Sequence, residues 1–134
     1  MKAESFLVPA VSSPQGGQMV TVTYAGYLKE TEHDVGGIVY VLDTLVIDKF
    51  SYDGIGFGVN INVADKGRNL KGYEKNRISV PFPSGSGDAT IEDKYDGDGQ
   101  LAIDISQVGV KARDIKWLSI WCRDYQLSFG HVEF

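Results

Sequence analysis

The sequence predicts an all-β chain, an antiparallel β-sandwich or a squat barrel, and three observations carry that expectation. Sixteen glycines are scattered among many Val, Ile, Thr, Tyr and Phe residues, a composition of strands punctuated by turns. A strict period of two sets Ile55, Phe57, Val59, Ile61 and Val63 against Gly56, Gly58, Asn60 and Asn62. Short apolar runs separated by turn signals recur along the whole length, which favours stacked or closed antiparallel sheets over an alternating α/β plan.

Taken in order, residues 1–19 read as an N-terminal extension with a lead-in loop at Gln15 to Gly17. Val20, Val22 and Tyr24 then alternate with Thr21 and Thr23 as on a half-buried strand. Gly26 to Asp34 is polar and joins strands. Gly36-Gly37 opens the run Ile38 to Leu42, whose continuity predicts cover on both faces. Asp43-Thr44 fits a tight turn, so Leu45 to Phe50 pairs back as an antiparallel hairpin, closed by a turn at Tyr52-Asp53-Gly54. Ile55 to Val63 is the clearest strand of the chain. Lys66 to Asn76 and the stretch from Pro81 through Pro83 to Ser84–Gly87 read as surface loops. Arg77–Val80, Ala89–Ile91 and Leu101–Ile105 are predicted as short strands, with a turn at Asp96-Gly97-Asp98-Gly99 between the last two. Trp117 to Phe129 carries large residues on both alternating sets, and Gly130 separates it from His131 to Phe134.

With 134 residues, no internal repeat and no dividing linker, the chain is expected to form one domain, 1–134. A hydrophobic fraction of 43% beside 23% charged residues separates it from disordered chains. The net charge of −5 and the lack of any Lys/Arg cluster argue against nucleic acid as a partner. Apolar runs such as Ile38–Leu42 are far short of the roughly 20 residues a helical membrane span needs. The N-terminal apolar patch is broken by Glu4 and is shorter than the centre of a signal peptide, so it reads as a mature or trimmed start.

Several residues invite a chemical reading, and each has a structural alternative. Cys122 is the one cysteine, so an internal disulfide is out of reach. On a period-two strand, Leu118, Ile120, Cys122 and Asp124 share one face, while Trp117, Trp121, Arg123 and Tyr125 share the other. A thiol among apolar neighbours is inert packing, whereas a guanidinium at Arg123 favours thiolate chemistry only if a bulge or sheet edge brings it to the sulfur. His33, Cys122 and His131 complete the two-imidazole, one-thiolate set of a trigonal copper site, with no nearby Met as axial ligand. Haem held by the Cys122 thiolate is a further cofactor reading.

Asp93, Asp96 and Asp98 with Gly97 and Gly99 suggest a calcium loop, but with Asp96 and Asp98 as third and fifth ligands, Lys94 takes the first position and Ile105 the twelfth. A solvated acidic hairpin turn explains the same residues. Trp117, Trp121, Tyr125 and Phe129 on one face form either a stacking platform for a planar ligand or an ordinary core stripe. Gly54-Ile55-Gly56-Phe57-Gly58 opens a strand and not a helix, so it offers no dinucleotide site. No nucleophile elbow, paired-histidine motif or phosphate-binding lysine loop is present, which leaves hydrolase and kinase readings without support.

Two segments together resemble the DM-thirteen domain, the module of Skeletor and Knickkopf proteins that is found beside DOMON domains. Asp114-Ile115-Lys116-Trp117-Leu118-Ser119-Ile120-Trp121-Cys122-Arg123, followed by Phe129-Gly130, is similar to that family's aromatic-rich strand with a Trp-Cys-Arg core. His33-Asp34-Val35-Gly36-Gly37, Val39 to Asp43 and Phe50-Ser51-Tyr52-Asp53-Gly54 resemble its His-x-Val-x-Gly opening and Phe-x-Tyr-Asp-Gly turn. The resemblance spans His33 to Phe134. After Gly54, where the family continues Gly-Pro-Asp-Ala, this chain reads Ile55-Gly56-Phe57-Gly58.

The resemblance implies a secreted or extracellular β module with a redox or electron-transfer role resting on its cysteine, here Cys122 with Trp121 and Arg123 beside it. It also implies matrix or cuticle components and redox partner domains as partners. The rival reading is a matrix-associated structural module in which Cys122 is core packing. A sulfur sealed in hydrocarbon, far from any imidazole or cavity, would leave that rival alone.

Overall fold

Inward Val, Ile and Leu alternating with outward polar residues build two antiparallel sheets whose apolar faces close on each other. The structure is a computed structural model, and it describes residues 4–9, 17–22, 24–42, 44–56, 58–80, 90–91, 93–105 and 108–134. The strands are β1 (Glu4–Pro9), β2 (Gly17–Val22), β3 (Tyr24–Tyr27), β4 (Lys29–Glu30), β5 (Gly36–Val41), β6 (Leu45–Tyr52) and β7 (Val59–Ala64). Helix α1 (Leu70–Lys75) follows, then β8 (Ile78–Val80), β9 (Tyr95–Ile103), a 3₁₀ turn at Ala112–Asp114, β10 (Trp117–Cys122) and β11 (Leu127–Glu133).

One sheet has the order β4-β11-β10-β7-β8 and the other β3-β5-β6-β9, while β1 and β2 pair as a separate hairpin. Neither order returns to its first strand, so of the two expected architectures the sandwich is the one formed. Between the sheets, Val39, Val41, Leu45, Ile47, Phe50 and Tyr52 meet Val59, Ile61, Val63, Leu118, Ile120 and Phe129 in one buried cluster.

The β5–β6 hairpin falls where the sequence places it, with Val41 opposite Leu45 and the Leu42 amide donating to the Thr44 carbonyl at 2.8 Å. Cover on both faces of β5 does not hold: Val39 and Val41 are sealed, but Ile38 and Tyr40 on the outer face are only half-buried. The first strand is divided into β2 and β3, and residues 4–9 form β1, so the N-terminal extension is not wholly loop. Thr23, Asp43, Gln15 and Gly16, Phe57, Ala89 and the stretch Pro81 to Gly87 lie outside the described residues.

Four further expectations are corrected. The strand read from Ile55 begins only at Val59, because Gly58 takes a φ of +61 and the Ile55 amide folds back to the Asp53 carboxylate at 2.9 Å. Within Lys66 to Asn76 the chain forms α1, capped where the Asn69 side chain accepts from the Gly72 amide at 2.9 Å. The Asp96–Gly99 stretch is no hairpin turn: it lies inside β9, which pairs with β6 from Leu45↔Ile103 to Tyr52↔Tyr95 through register shifts beside Lys49, whose φ is +56. Ile91 is not in a strand, though its amide donates to the Val59 carbonyl at 2.7 Å.

The final hairpin turns at residues 123–126 and not at Gly130, with Gln126 at a φ of +55. Gly130 lies within β11, where an added Cβ would come within 2.5 Å of the Val35 side chain. Tyr125 therefore sits in the turn and Phe129 in the inner core, so neither extends the Trp117–Trp121 face.

Candidate functional site at the Cys122 end of the sandwich

Cys122 is the last residue of β10, opposite Val59 of β7 and Leu127 of β11. The pleat sends Leu118, Ile120 and Cys122 inward, and Cys122 is 0% exposed within the main core. Its sequence neighbours part from it. Trp121 points to the outer face, where Trp117 lies 6.4 Å away between ring centroids and the Arg77 guanidinium sits 4.7 Å above the Trp121 ring. Arg123 enters the turn, is exposed, and pairs with the Asp124 carboxylate at 3.6 Å. The face division expected from period two holds for residues 117–122 and ends there, so Trp121, Arg123, Trp117 and Tyr125 are not gathered around the sulfur; Tyr125 is 68% exposed.

Tyr52, at the end of β6 in the facing sheet, shares the buried cluster with Cys122, and its hydroxyl lies against Gly56 beside Val59, the residue opposite Cys122. Burial pushes its phenol above the ordinary value of 10.0, contact with the Gly56 backbone opposes that, and the negative charges of Asp53 and of an ionised Cys122 add to the rise. The Tyr52 hydroxyl is buried and lies against Gly56, but it makes no hydrogen bond of acceptable geometry among the described residues. Gly56 permits this approach, since a Cβ there would stand 2.8 Å from the phenolic oxygen and 2.6 Å from the Phe129 ring.

Next to Tyr52, His33 and Asp53 clasp the loops that close this end. The His33 ring bonds the Asp53 carboxylate through Nδ1 at 2.9 Å, and the Asp53 amide donates to the His33 carbonyl at 2.9 Å. The imidazole rests on Phe129 with 4.3 Å between centroids and meets the Tyr52 ring edge-on at 6.5 Å. His33 and Asp34 both adopt positive φ, +62 and +58, a conformation that costs a non-glycine residue energy and is held here by these contacts. Outside the clasp, Asp34, Ser51, Tyr52, Asp53, Lys94, Tyr95 and Asp96 line an open groove of about 230 Å³.

The candidate metal ligands are not assembled. His131 pairs with Ser119, which shares the outer face of β10 with Trp117 and Trp121, so its imidazole and the Cys122 thiol lie on opposite faces of one sheet. Asp93, Asp96 and Asp98 are exposed, and Asp96 faces Lys94 at 3.6 Å. Among the described residues no three His, Cys, Asp or Glu side chains are grouped to hold a metal ion. The donor sets read for copper and calcium therefore do not fit. No helix among the described residues is long and apolar enough to cross a membrane.

The sequence marks Tyr52 and Asp53 as turn residues, and nothing in it sets Tyr73, Arg77 or Asn62 apart as functional. The signal for the first two was present in the Phe-Ser-Tyr-Asp-Gly stretch, which also supplied half of the family resemblance.

A family model described as Electron transfer DM13 matches residues 27–134. The chain belongs to the DM13 family. The match takes in β4 to β11 entirely, and so the whole Cys122 end of this DM13 domain, while the β1–β2 hairpin precedes it. Protein Skeletor of Drosophila melanogaster is similar to the DM13 domain in its isoforms B/C and D/E, each 32% identical over 120 residues, or 82% of this chain. The chain spans 14% and 7% of those two relatives. No solved structure matches this DM13 domain.

Proposed function

We propose that the domain is an extracellular electron-transfer module whose redox group is Cys122, reached through Tyr52 from the groove beside Asp53. The family's description as electron transfer supports the class of activity. The observation that carries the choice of site is that Tyr52 and Cys122 share one buried cluster, with the Tyr52 hydroxyl against Gly56 beside Val59, the residue opposite Cys122, and the His33–Asp53 clasp and the groove next to it. In this role the Cys122 thiol gives one electron to a one-electron acceptor, a metal centre held by a partner domain, and its proton to solvent at the groove, leaving a thiyl radical. One electron from a reduced donor and one proton from solvent return it to the thiol. Resemblance to Skeletor-type proteins supports placing the module outside the cell, beside matrix components.

The test is redox titration of wild type and Cys122→Ala with hexachloroiridate(IV), a one-electron oxidant strong enough to take an electron from a thiol. The expected result is a single electron equivalent per chain in wild type and none in the variant. Equal uptake by both removes Cys122 from the reaction.

One observation favours a second reading, that of a matrix-associated structural module: the sulfur is fully buried among apolar side chains. Such burial suppresses thiol chemistry. On that reading native protein takes up no oxidant equivalents, and a thiol reagent labels Cys122 only on unfolding.

A further inference from the structure

The outer face of the five-stranded sheet carries three buried polar atoms that the chain leaves without partners among the described residues: Trp117 Nε1, Trp121 Nε1 and Asn62 Oδ1. Their residues are 1%, 3% and 1% exposed. The register gathers them. Asn62 stands opposite Ser119, midway between Trp117 and Trp121 on the same face, and the two indoles lean together to 6.4 Å between centroids. Above them, the Tyr73 ring of α1 stacks on Trp117 at 6.0 Å and Arg77 covers Trp121.

Neighbouring polar side chains are already engaged. Asn62 Nδ2 donates to Asn60 Oδ1, Asn60 Nδ2 to Ser79 Oγ, Ser119 Oγ to Ser128 Oγ, and Arg77 to Gln126 Oε1. Two donors and one acceptor thus remain in one patch, in a chemically complementary ratio. Buried groups of this kind are rarely left unsatisfied, because each lost hydrogen bond is costly.

We propose that Trp117 Nε1, Trp121 Nε1 and Asn62 Oδ1 together bind one internal water molecule beneath Tyr73 and Arg77. The water accepts from both indoles and donates to the Asn62 carbonyl oxygen, which matches the roughly three hydrogen bonds a buried water usually makes. It has the lifetime of a structural water, since its cover is Tyr73 of α1 together with Arg77 and not bulk solvent. The Trp pair is then the wall of a hydrated polar site, and not a dry stacking platform.

Water-selective NOE and ROE spectra of protein carrying ¹⁵N-labelled indoles test this directly. The expected result is cross-peaks from both indole Nε1–H groups to the water resonance, with the sign pattern of a long-lived bound molecule. Absence of such peaks at either indole, or cross-peaks to an acceptor of the chain instead, overturns the site. Asn62→Leu, which removes the acceptor at similar volume, is expected to abolish the water peaks of both indoles together. Retention of both peaks in that variant overturns the shared arrangement. Should Asn62→Leu not fold, the wild-type spectra decide alone.

Discussion

His33 and Asp53 hold each other twice, ring to carboxylate at 2.9 Å and amide to carbonyl at 2.9 Å, across a sequence separation of 20 residues. The carboxylate also accepts the Ile55 amide at 2.9 Å, so one side chain orders both loops at the Cys122 end. With the pair's side chains 27% and 20% exposed, solvent weakens the interaction without removing it. Asp53→Ala is expected to lower stability by about 1–2 kcal/mol, the range for a partly screened charge-assisted hydrogen bond plus one amide left without its acceptor. Urea denaturation checks this, and an unchanged midpoint would show that the clasp contributes nothing.

At the sulfur, Cys122→Ser places a hydroxyl in an apolar interior. The expected cost is about 1–3 kcal/mol, the penalty for taking a hydroxyl out of water into a core shaped around sulfur. Cys122→Ala should cost less, since it introduces no polar atom. Thermal unfolding of the two variants compares them directly, and a serine variant as stable as the alanine one would show that the core offsets the desolvation of the hydroxyl.

The raised phenol of Tyr52 makes a directional claim about alkaline pH. A group whose folded value lies above its unfolded value of 10.0 contributes its full stabilisation below that pH, and loses it as pH climbs through the higher folded value. Tyr52→Phe should therefore flatten the fall in stability above a pH of about 10. Below that pH the change should be nearly neutral, because it deletes a buried hydroxyl that lacks a well-formed hydrogen bond. Denaturation curves across alkaline pH, with phenolate absorbance followed in parallel, are the measurement. An identical alkaline slope in both proteins would count against the assignment.

Gly56→Ala tests the close packing around Tyr52. The new methyl group would meet Phe129, Tyr52 and Val59 at 2.6 to 2.8 Å, closer than side-chain carbons approach. Overpacking of this kind costs about 1–3 kcal/mol. A wild-type melting temperature in the variant would mean that this end of the sandwich yields more easily than its contacts suggest.

Arg77→Ala removes the cation above Trp121 and the Arg77–Gln126 hydrogen bond of 2.9 Å that ties the last hairpin turn to the β8 side. A loss of about 0.5–1 kcal/mol is expected from the ring contact. Tryptophan fluorescence should shift to the red as Trp121 gains solvent. No shift would place the cover of that ring elsewhere.

How much of this was legible in the sequence depended on the range of the interactions involved. Val41–Asp43–Leu45 marks a hairpin because its partners are adjacent in the chain, and the inward set of β10 follows from period two alone. Alternation misled at Gly54 to Gly58, where three glycines in five residues keep the pattern of a strand while freeing the backbone to leave it. The Asp-Gly pairs of β9 look like turns until β6, with its own irregularity at Lys49, supplies the partner that absorbs them. Helix α1 has six residues, too few for a 3.6-residue period to register, and Asn69 was its one local sign. At the site, Cys122 and its apolar neighbours were readable, but Tyr52 was not, because nothing local links positions 52 and 122 when they belong to different sheets.

The pleat of β10 also determines how experiments on the Trp-Cys-Arg triplet should be designed. Three consecutive letters are distributed to three media: indole under a polar roof, sulfur in oil, guanidinium in water. Replacing them as a block would superimpose three unrelated losses on a single phenotype. One-at-a-time replacement, read against Arg77, Tyr52 and Asp124 respectively, keeps each loss attached to the compartment that produced it.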